Sequence, residues 1–207
     1  MQLENLAELR PALYHLTART NLARIQRLGR LDPAKALLES AGHPHLQRTQ
    51  RSGSLTVVVD GEPVRIRDQD PLRAANCRLD GGFSFEDLLD LLNQHVFFWP
   101  GSNEQPVRSG RNHFARYAAR EDAVVFKFAT QAVFEANPDL EPRFCKYNSG
   151  APRSNPRSGK SPRGPDLFLP ADRFAGSRGD VVEVVFRGSV ALPMETVEIL
   201  PVQHWHQ

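Results

Sequence analysis

The apolar positions of this chain recur at short periods that keep changing, and each change marks a new element. Residues 2–10 have the spacing of a short helix. Leu13 to Leu16 is brief and apolar-aromatic and predicts a strand. Thr20 is placed to cap a helix in which Leu22, Ile25 and Leu28 recur at helical spacing. Gly29 stands where a helix end wants a residue free to adopt positive φ. Asp32-Pro33 predicts another helix start, with proline at the first position, where its missing N–H costs nothing. Residues 54–68 hold two β-branched runs around Asp60-Gly61, the pattern of a β-hairpin. Ser84 and Asp87 have nearly the spacing of a capping box, and the run FEDLLDLLNQ behind them predicts a helix. It leads directly into HVFFW, residues 95–99, a buried strand. Residues 111–120 predict a helix, 123–130 a strand, and a short helix follows to about Ala136. Near the end, 181–188 and 195–203 predict strands, the second opening with a helical turn. Strands and helices alternate irregularly and without an internal repeat, so the expectation is one α+β domain over 1–207.

Residues 143–165 break the pattern. Pro, Gly and Ser dominate. Arg143, Lys146, Arg153, Arg157, Lys160 and Arg163 stand there without one acidic residue. The stretch predicts a long basic loop, and a loop of that length inside a domain is functional or disordered. The whole chain is nearly balanced, with a formal charge of +2. Overall charge therefore neither declares nor excludes a nucleic-acid partner, and the local distribution has to decide. Cys77 and Cys145 are too few for a disulfide framework or a four-thiolate zinc site. With no apolar run of membrane-spanning length and no signal-peptide pattern at the start, a cytoplasmic protein is expected, with no membrane partner.

Candidate chemistry is sparse. The hydrophobic strand VVEVVF carries one carboxylate, Glu183. It either points to solvent from a half-exposed strand or is held rigidly toward a cleft. His15 shares one strand face with Thr17, while Tyr14 and Leu16 share the other. It is either satisfied locally or lines a polar cleft. Phe97 and Phe98 read as core, and Trp99, just before Pro100-Gly101, as a cleft wall. Phosphate-loop, dinucleotide-fingerprint and nucleophile-elbow motifs are absent. His43 and His45 have the wrong spacing for one helix face, and His204 and His206 sit in an expected frayed tail, so no metal is assigned.

Three stretches resemble the DarT-type branch of the ADP-ribosyltransferase superfamily. LYHLT followed by TNLARIQRLGRL, within 13–31, resembles its Tyr-His-Ile-Thr opening; HVFFWP at 95–100 resembles its central strand; RGDVVEVVFRGSVALPMETVEI at 178–199 resembles its closing glutamate strand. The chain is more similar still to an uncharacterised bacterial family with RDQ, LN-x-x-VFFW and RGPDxFLP segments, here at 67–69, 92–99 and 163–170. The DarT resemblance implies two small sheets meeting at an NAD cleft, with peripheral helices. It implies a catalytic Glu183 and NAD contacts from Tyr14, His15, Thr17, Asn21 and Trp99. The family's arginine has no unambiguous counterpart; Arg67 is the candidate and Arg65 the runner-up. NAD would be consumed as a substrate, with no metal. The basic stretch makes a nucleic-acid base the expected acceptor, with Tyr147, Asn148, Arg153 and Arg163 as contacts and Phe144 as a further stacking ring. The resemblance also implies a toxin or phage-defence role and an antitoxin partner. Transfer to a protein side chain, an inactive nucleic-acid-binding module and an immunity or scaffold protein are the alternatives.

Overall fold

The computed structural model describes residues 1–118, 122–155 and 159–202. Helix α1 (Leu3–Leu9) buries Leu6 and leads to strand β1 (Ala12–Ala18). One 3-10 turn at Arg19–Asn21 opens α2 (Leu22–Leu28), and Gly29 closes it at φ 59°. Strand β2 (Arg30–Leu31) and α3 (Ala34–Ser40) follow; Pro33 is the residue before α3, one position earlier than expected. The hairpin is β3 (Leu55–Val59) and β4 (Glu62–Ile66). Its turn residues Asp60 and Gly61 have φ 53° and 81°, the left-handed pair that matches the twist of two antiparallel strands. Arg24 of α2 is buried and pairs with Asp60 at 3.0 Å and Glu62 at 3.3 Å, which ties the hairpin tip to α2.

Strand β5 (Cys77–Leu79) precedes α4 (Phe85–Asn93), where Ser84 and Asp87 make both bonds of a capping box. Strand β6 (His95–Gly101) comes next, then α5 (Arg108–Ala118), β7 (Ala123–Ala129) and α6 (Thr130–Glu135). The stretch expected as a loop contains β8 (Arg143–Cys145), β9 (Ser154–Asn155) and β10 (Gly159–Arg163). The chain ends through β11 (Leu169–Pro170), β12 (Glu183–Arg187), β13 (Val190–Ala191), a 3-10 turn at Met194–Thr196 and β14 (Glu198–Pro201). Arg157, His204, Trp205, His206 and the ends of the predicted 111–120 helix and 195–203 strand lie outside the described residues.

Seven strands pair in the order β11-β8-β12-β6-β1-β7-β14. The four strongest strand patterns of the sequence thus stand side by side as β12, β6, β1 and β7. The fold is mixed α+β with several small sheets and peripheral helices, and the two larger ones are joined through β6 into this seven-strand order. Strand β6 changes neighbour within its own length. Trp99, Pro100 and Gly101 pair with Tyr14, Leu13 and Ala12 of β1, whereas His95 to Phe98 pair with Arg187 to Val184 of β12. Beyond Tyr14, β1 continues on β7 alone. The two halves therefore part between His15 and Phe97, and a wedge opens there. Three smaller pairings, β5-β10-β9, β13-β2 and β3-β4, lie outside the main sheet.

Packing follows from the pleat. Leu13, Phe98, Phe126, Phe128, Val184 and Phe186 form one core with Leu6 of α1 and Val133 of α6. Tyr14, Leu16, Trp99 and Val125 pack with Phe114 and Tyr117 of α5. Leu88, Leu89 and Leu92 of α4 cover Cys145 and Val185. The hairpin buries Val57, Val59, Val64 and Ile66 against Leu38 of α3. No helix among the described residues is long and apolar enough to cross a membrane.

Candidate functional site

The wedge between β1 and β6 leads into a cavity of about 260 Å³. Its wall includes His15 and Thr17 of β1, Phe97 and Trp99 of β6, Arg67 after β4, and Glu183 at the start of β12. Residues far apart in the chain meet here because β6 is the common neighbour of β1 and β12. His15 spans the parting itself: its Nδ1 lies 2.8 Å from the Phe97 carbonyl oxygen. That carbonyl can only accept, so Nδ1 carries the hydrogen and Nε2 is left as an acceptor. Burial, and secondarily the Arg67 charge, push the His15 pKa down to about 4, so the ring is neutral.

Glu183 is 2% exposed. The Ser149 amide donates to Oε1 at 3.1 Å. Oε2 is buried with no hydrogen-bond partner. Burial dominates and raises the pKa to about 7, against the opposing pull of the Ser149 bonds and the Arg163 charge. The solvent-facing alternative for Glu183 is thereby overturned. A buried carboxyl with an orphaned oxygen carries an unpaid desolvation cost, and cavity walls are where ligands relieve such costs.

Arg67 is held over the Tyr117 ring at 5.2 Å, with Nη1 2.8 Å from His113 Nε2. His113 must be neutral to accept that bond, and burial with the Arg67 charge lowers its pKa well below the ordinary value. Arg65 also lines the cavity. Its backbone is clamped by Asn21, whose Oδ1 accepts from the Arg65 amide and whose Nδ2 donates to the Arg65 carbonyl and to Thr17 Oγ1. Asn21 thus fixes where β4 delivers Arg65 and Arg67, and its amide is already taken up.

Other expected site residues fall elsewhere. Tyr14 is fully buried beneath α5, and its hydroxyl donates to the Ser102 carbonyl at 2.7 Å, so it has no face in the cavity. Strand alternation sends it to the opposite side from His15. Phe144 is core, not a stacking ring. Arg163 is 1% exposed, and its guanidinium donates to the carbonyls of Ser149, Pro162 and Asn148. It is an internal tie for the turn that touches Glu183, not a substrate contact. Lys146 reaches the Ala175 carbonyl, and Arg143 pairs with Glu141. Arg153 and Lys160 stay exposed. Tyr147 is 41% exposed, stacked on the Arg163 guanidinium at 5.4 Å, and Asn148 beside it lines the cavity.

Two wall residues had no local signature. Arg51 donates from Nε to the Arg67 carbonyl and from Nη2 to Asn93 Oδ1, while its Nη1 is buried without a partner. His113 is embedded in an ordinary amphipathic helix pattern. A lone arginine before a hairpin and a lone histidine in a helix announce nothing by spacing. Among the described residues no group of three or more His, Cys, Asp or Glu side chains could hold a metal ion. The profile of a family of unknown function, DUF7002, matches residues 11–197. No curated protein matches the chain.

Proposed function

The chain belongs to that family of unknown function, and we propose that it is an NAD-dependent ADP-ribosyltransferase of DarT-like type, with a nucleic-acid base as acceptor. One observation carries the proposal: Glu183, with its orphaned Oε2, faces the same cavity as neutral His15 at the parting of the sheet. The cavity volume, about 260 Å³, lies near the lower end for small-molecule sites, so it would enclose the nicotinamide riboside half while the rest of NAD lies toward the mouth.

In this reading His15 Nε2 accepts from a ribose hydroxyl and Trp99 packs against the nicotinamide ring. Arg67, with Arg51 behind it, faces the pyrophosphate charge. The bond from C1′ of the nicotinamide ribose to the ring nitrogen breaks, and nicotinamide leaves with the electron pair. An acceptor nitrogen forms the new bond to C1′ and passes its proton to Glu183, which returns it to water. Ionised Glu183 also stabilises the positive charge that develops on the ribose. Exposed Tyr147, Arg153 and Lys160 supply a stacking ring and two cations for the acceptor strand.

The test is nicotinamide release from NAD, with label followed onto single-stranded DNA, RNA and polypeptide. Glu183→Gln should lower release by about a hundredfold or more while NAD affinity stays within a few-fold, because shape survives and the transition-state charge does not. Equal rates in the two proteins would end the assignment. Label on polypeptide alone would move the acceptor to protein.

A further inference from the structure

A second pocket, about 430 Å³, is lined by the start of α5 and by the segment that leads into β12. Arg10, Arg108 and Arg111 line it, and among the described residues no Asp or Glu does. Among the described residues none of the three has an ion-pair partner. Arg10 donates weakly to the Gly179 carbonyl at 3.4 Å, and its Nε is buried with no hydrogen-bond partner. Arg111 Nη1 donates to Gln105 Oε1 at 2.9 Å and the Pro106 carbonyl at 3.1 Å, both neutral. Arg108 lies exposed on the pocket rim as the first residue of α5. Asp180 and Glu104, which neighbour wall residues in sequence, are otherwise engaged. Asp180 accepts from the Ser177 amide and hydroxyl, and Glu104 is hydrogen-bonded to Ser102.

Three like charges around one hollow repel each other, and a buried N–H without an acceptor adds a desolvation cost. An anion removes both. The amides of Arg108 and Ser109 open the eleven-residue α5 and have no intrahelical carbonyl to meet; the positive end of the helix adds to the same field. The remaining wall is mixed, with Pro106, Val107, Val181 and Val182 as its apolar part and Ser102, Gln105 and Ser109 as its neutral polar part. The hollow is far larger than a bare oxyanion needs, which leaves room for an apolar group beside it.

We propose that this pocket binds a phosphomonoester, its dianion held by Arg10, Arg108 and Arg111 and its organic part against the valine wall. A monoester dianion offsets more of three positive charges than a phosphodiester does, and its oxygens fit the guanidinium fork. The same elements continue into the cavity. Val182 precedes Glu183, Ser102 closes the strand of Trp99, and α5 carries His113 and Tyr117, which hold Arg67. The inference does not depend on NAD being the ligand of that cavity.

The experiment titrates phenyl phosphate and inorganic phosphate into the full-length protein while amide resonances are followed. Phenyl phosphate should shift the amides of Val107–Arg111 and Gly179–Val182 and bind more tightly than inorganic phosphate. Arg10→Gln with Arg108→Gln should weaken it roughly tenfold or more, since each charge-assisted bond lost is worth that order. Arg111 is left intact because it also ties Gln105 and Pro106, and an unchanged melting temperature shows that the double variant folds. Glu183→Gln should leave this binding unchanged. The proposal fails if inorganic phosphate binds as tightly as phenyl phosphate, if the shifts fall on cavity residues, or if the double variant binds as well as the native protein. It fails also if only a single-stranded oligonucleotide shifts these amides.

Discussion

Glu183 meets the Ser149 amide with one oxygen and nothing with the other, and its pKa rises from 4.5 to about 7 through burial. The folded state therefore holds a proton that the unfolded chain has released between those values. The sign follows: the stability this group contributes is full below about pH 4.5 and is lost as pH rises through about 7. Glu183→Gln removes the titration. Its stability relative to the native protein should rise from pH 5 to pH 8 by the order of 1–3 kcal/mol, read from urea unfolding at both pH values. His15, His95 and His113 run the other way, since burial lowers all three. They cost stability as pH falls below 6.5, but equally in both proteins, so the difference isolates Glu183. The sequence made Glu183 and His15 visible because each is one polar residue in a short apolar strand. Strand alternation already sets Tyr14 on the face opposite His15; it is the resemblance that makes it a cofactor contact, and the pleat turns it away from the cavity.

Helix α5 is held by a close approach. A Cβ on Gly110 would stand 2.9 Å from both Cβ and Cγ of Trp99, inside the distance real Cβ atoms keep. Trp99 is buried in a cavity wall and cannot retreat cheaply. Gly110→Ala should therefore push α5 off β6 and cost about 1–3 kcal/mol despite alanine's better helix propensity. Because α5 carries His113 and Tyr117, the Arg67 guanidinium should shift with it, and affinity for the cavity ligand should fall more than stability alone explains. Thermal melts with a binding titration separate the two effects. Elements of this kind were legible where the signal is local: the Asp60-Gly61 turn, the Ser84–Asp87 cap, the Gly29 stop. The short strands within 143–165 were not. β8 is only three residues long, the residues of β9 and β10 lack strand propensity, and β10 exists because it pairs in parallel with β5, far away in sequence.

The whole molecule is organised by the parting of its sheet, and the turn that closes one side of the cavity depends on a single buried cation. Arg163 leaves β10, crosses to the turn at 148–149 and donates to two of its carbonyls, while the Ser149 amide grips Glu183. No periodicity could foretell this, because an arginine among prolines and glycines reads as solvated until the tertiary fold supplies carbonyls for it. The basic stretch therefore divides into an internal tie and a surface. Arg163→Lys keeps the charge but cannot make the forked set of bonds, leaving buried carbonyls unpaired. It should cost about 2–4 kcal/mol in urea unfolding. Arg153→Gln with Lys160→Gln, both exposed, should change stability by less than about 0.5 kcal/mol each. Their effect belongs to acceptor binding. If both meet phosphates of a single strand, the slope of log affinity against log salt should fall by about 1.4 for the pair. An unchanged slope would remove this surface from the acceptor path and leave Tyr147 as its one aromatic contact. A stability loss confined to Arg163→Lys would still establish that the forked bonds of its guanidinium, and not charge alone, serve the fold around Glu183.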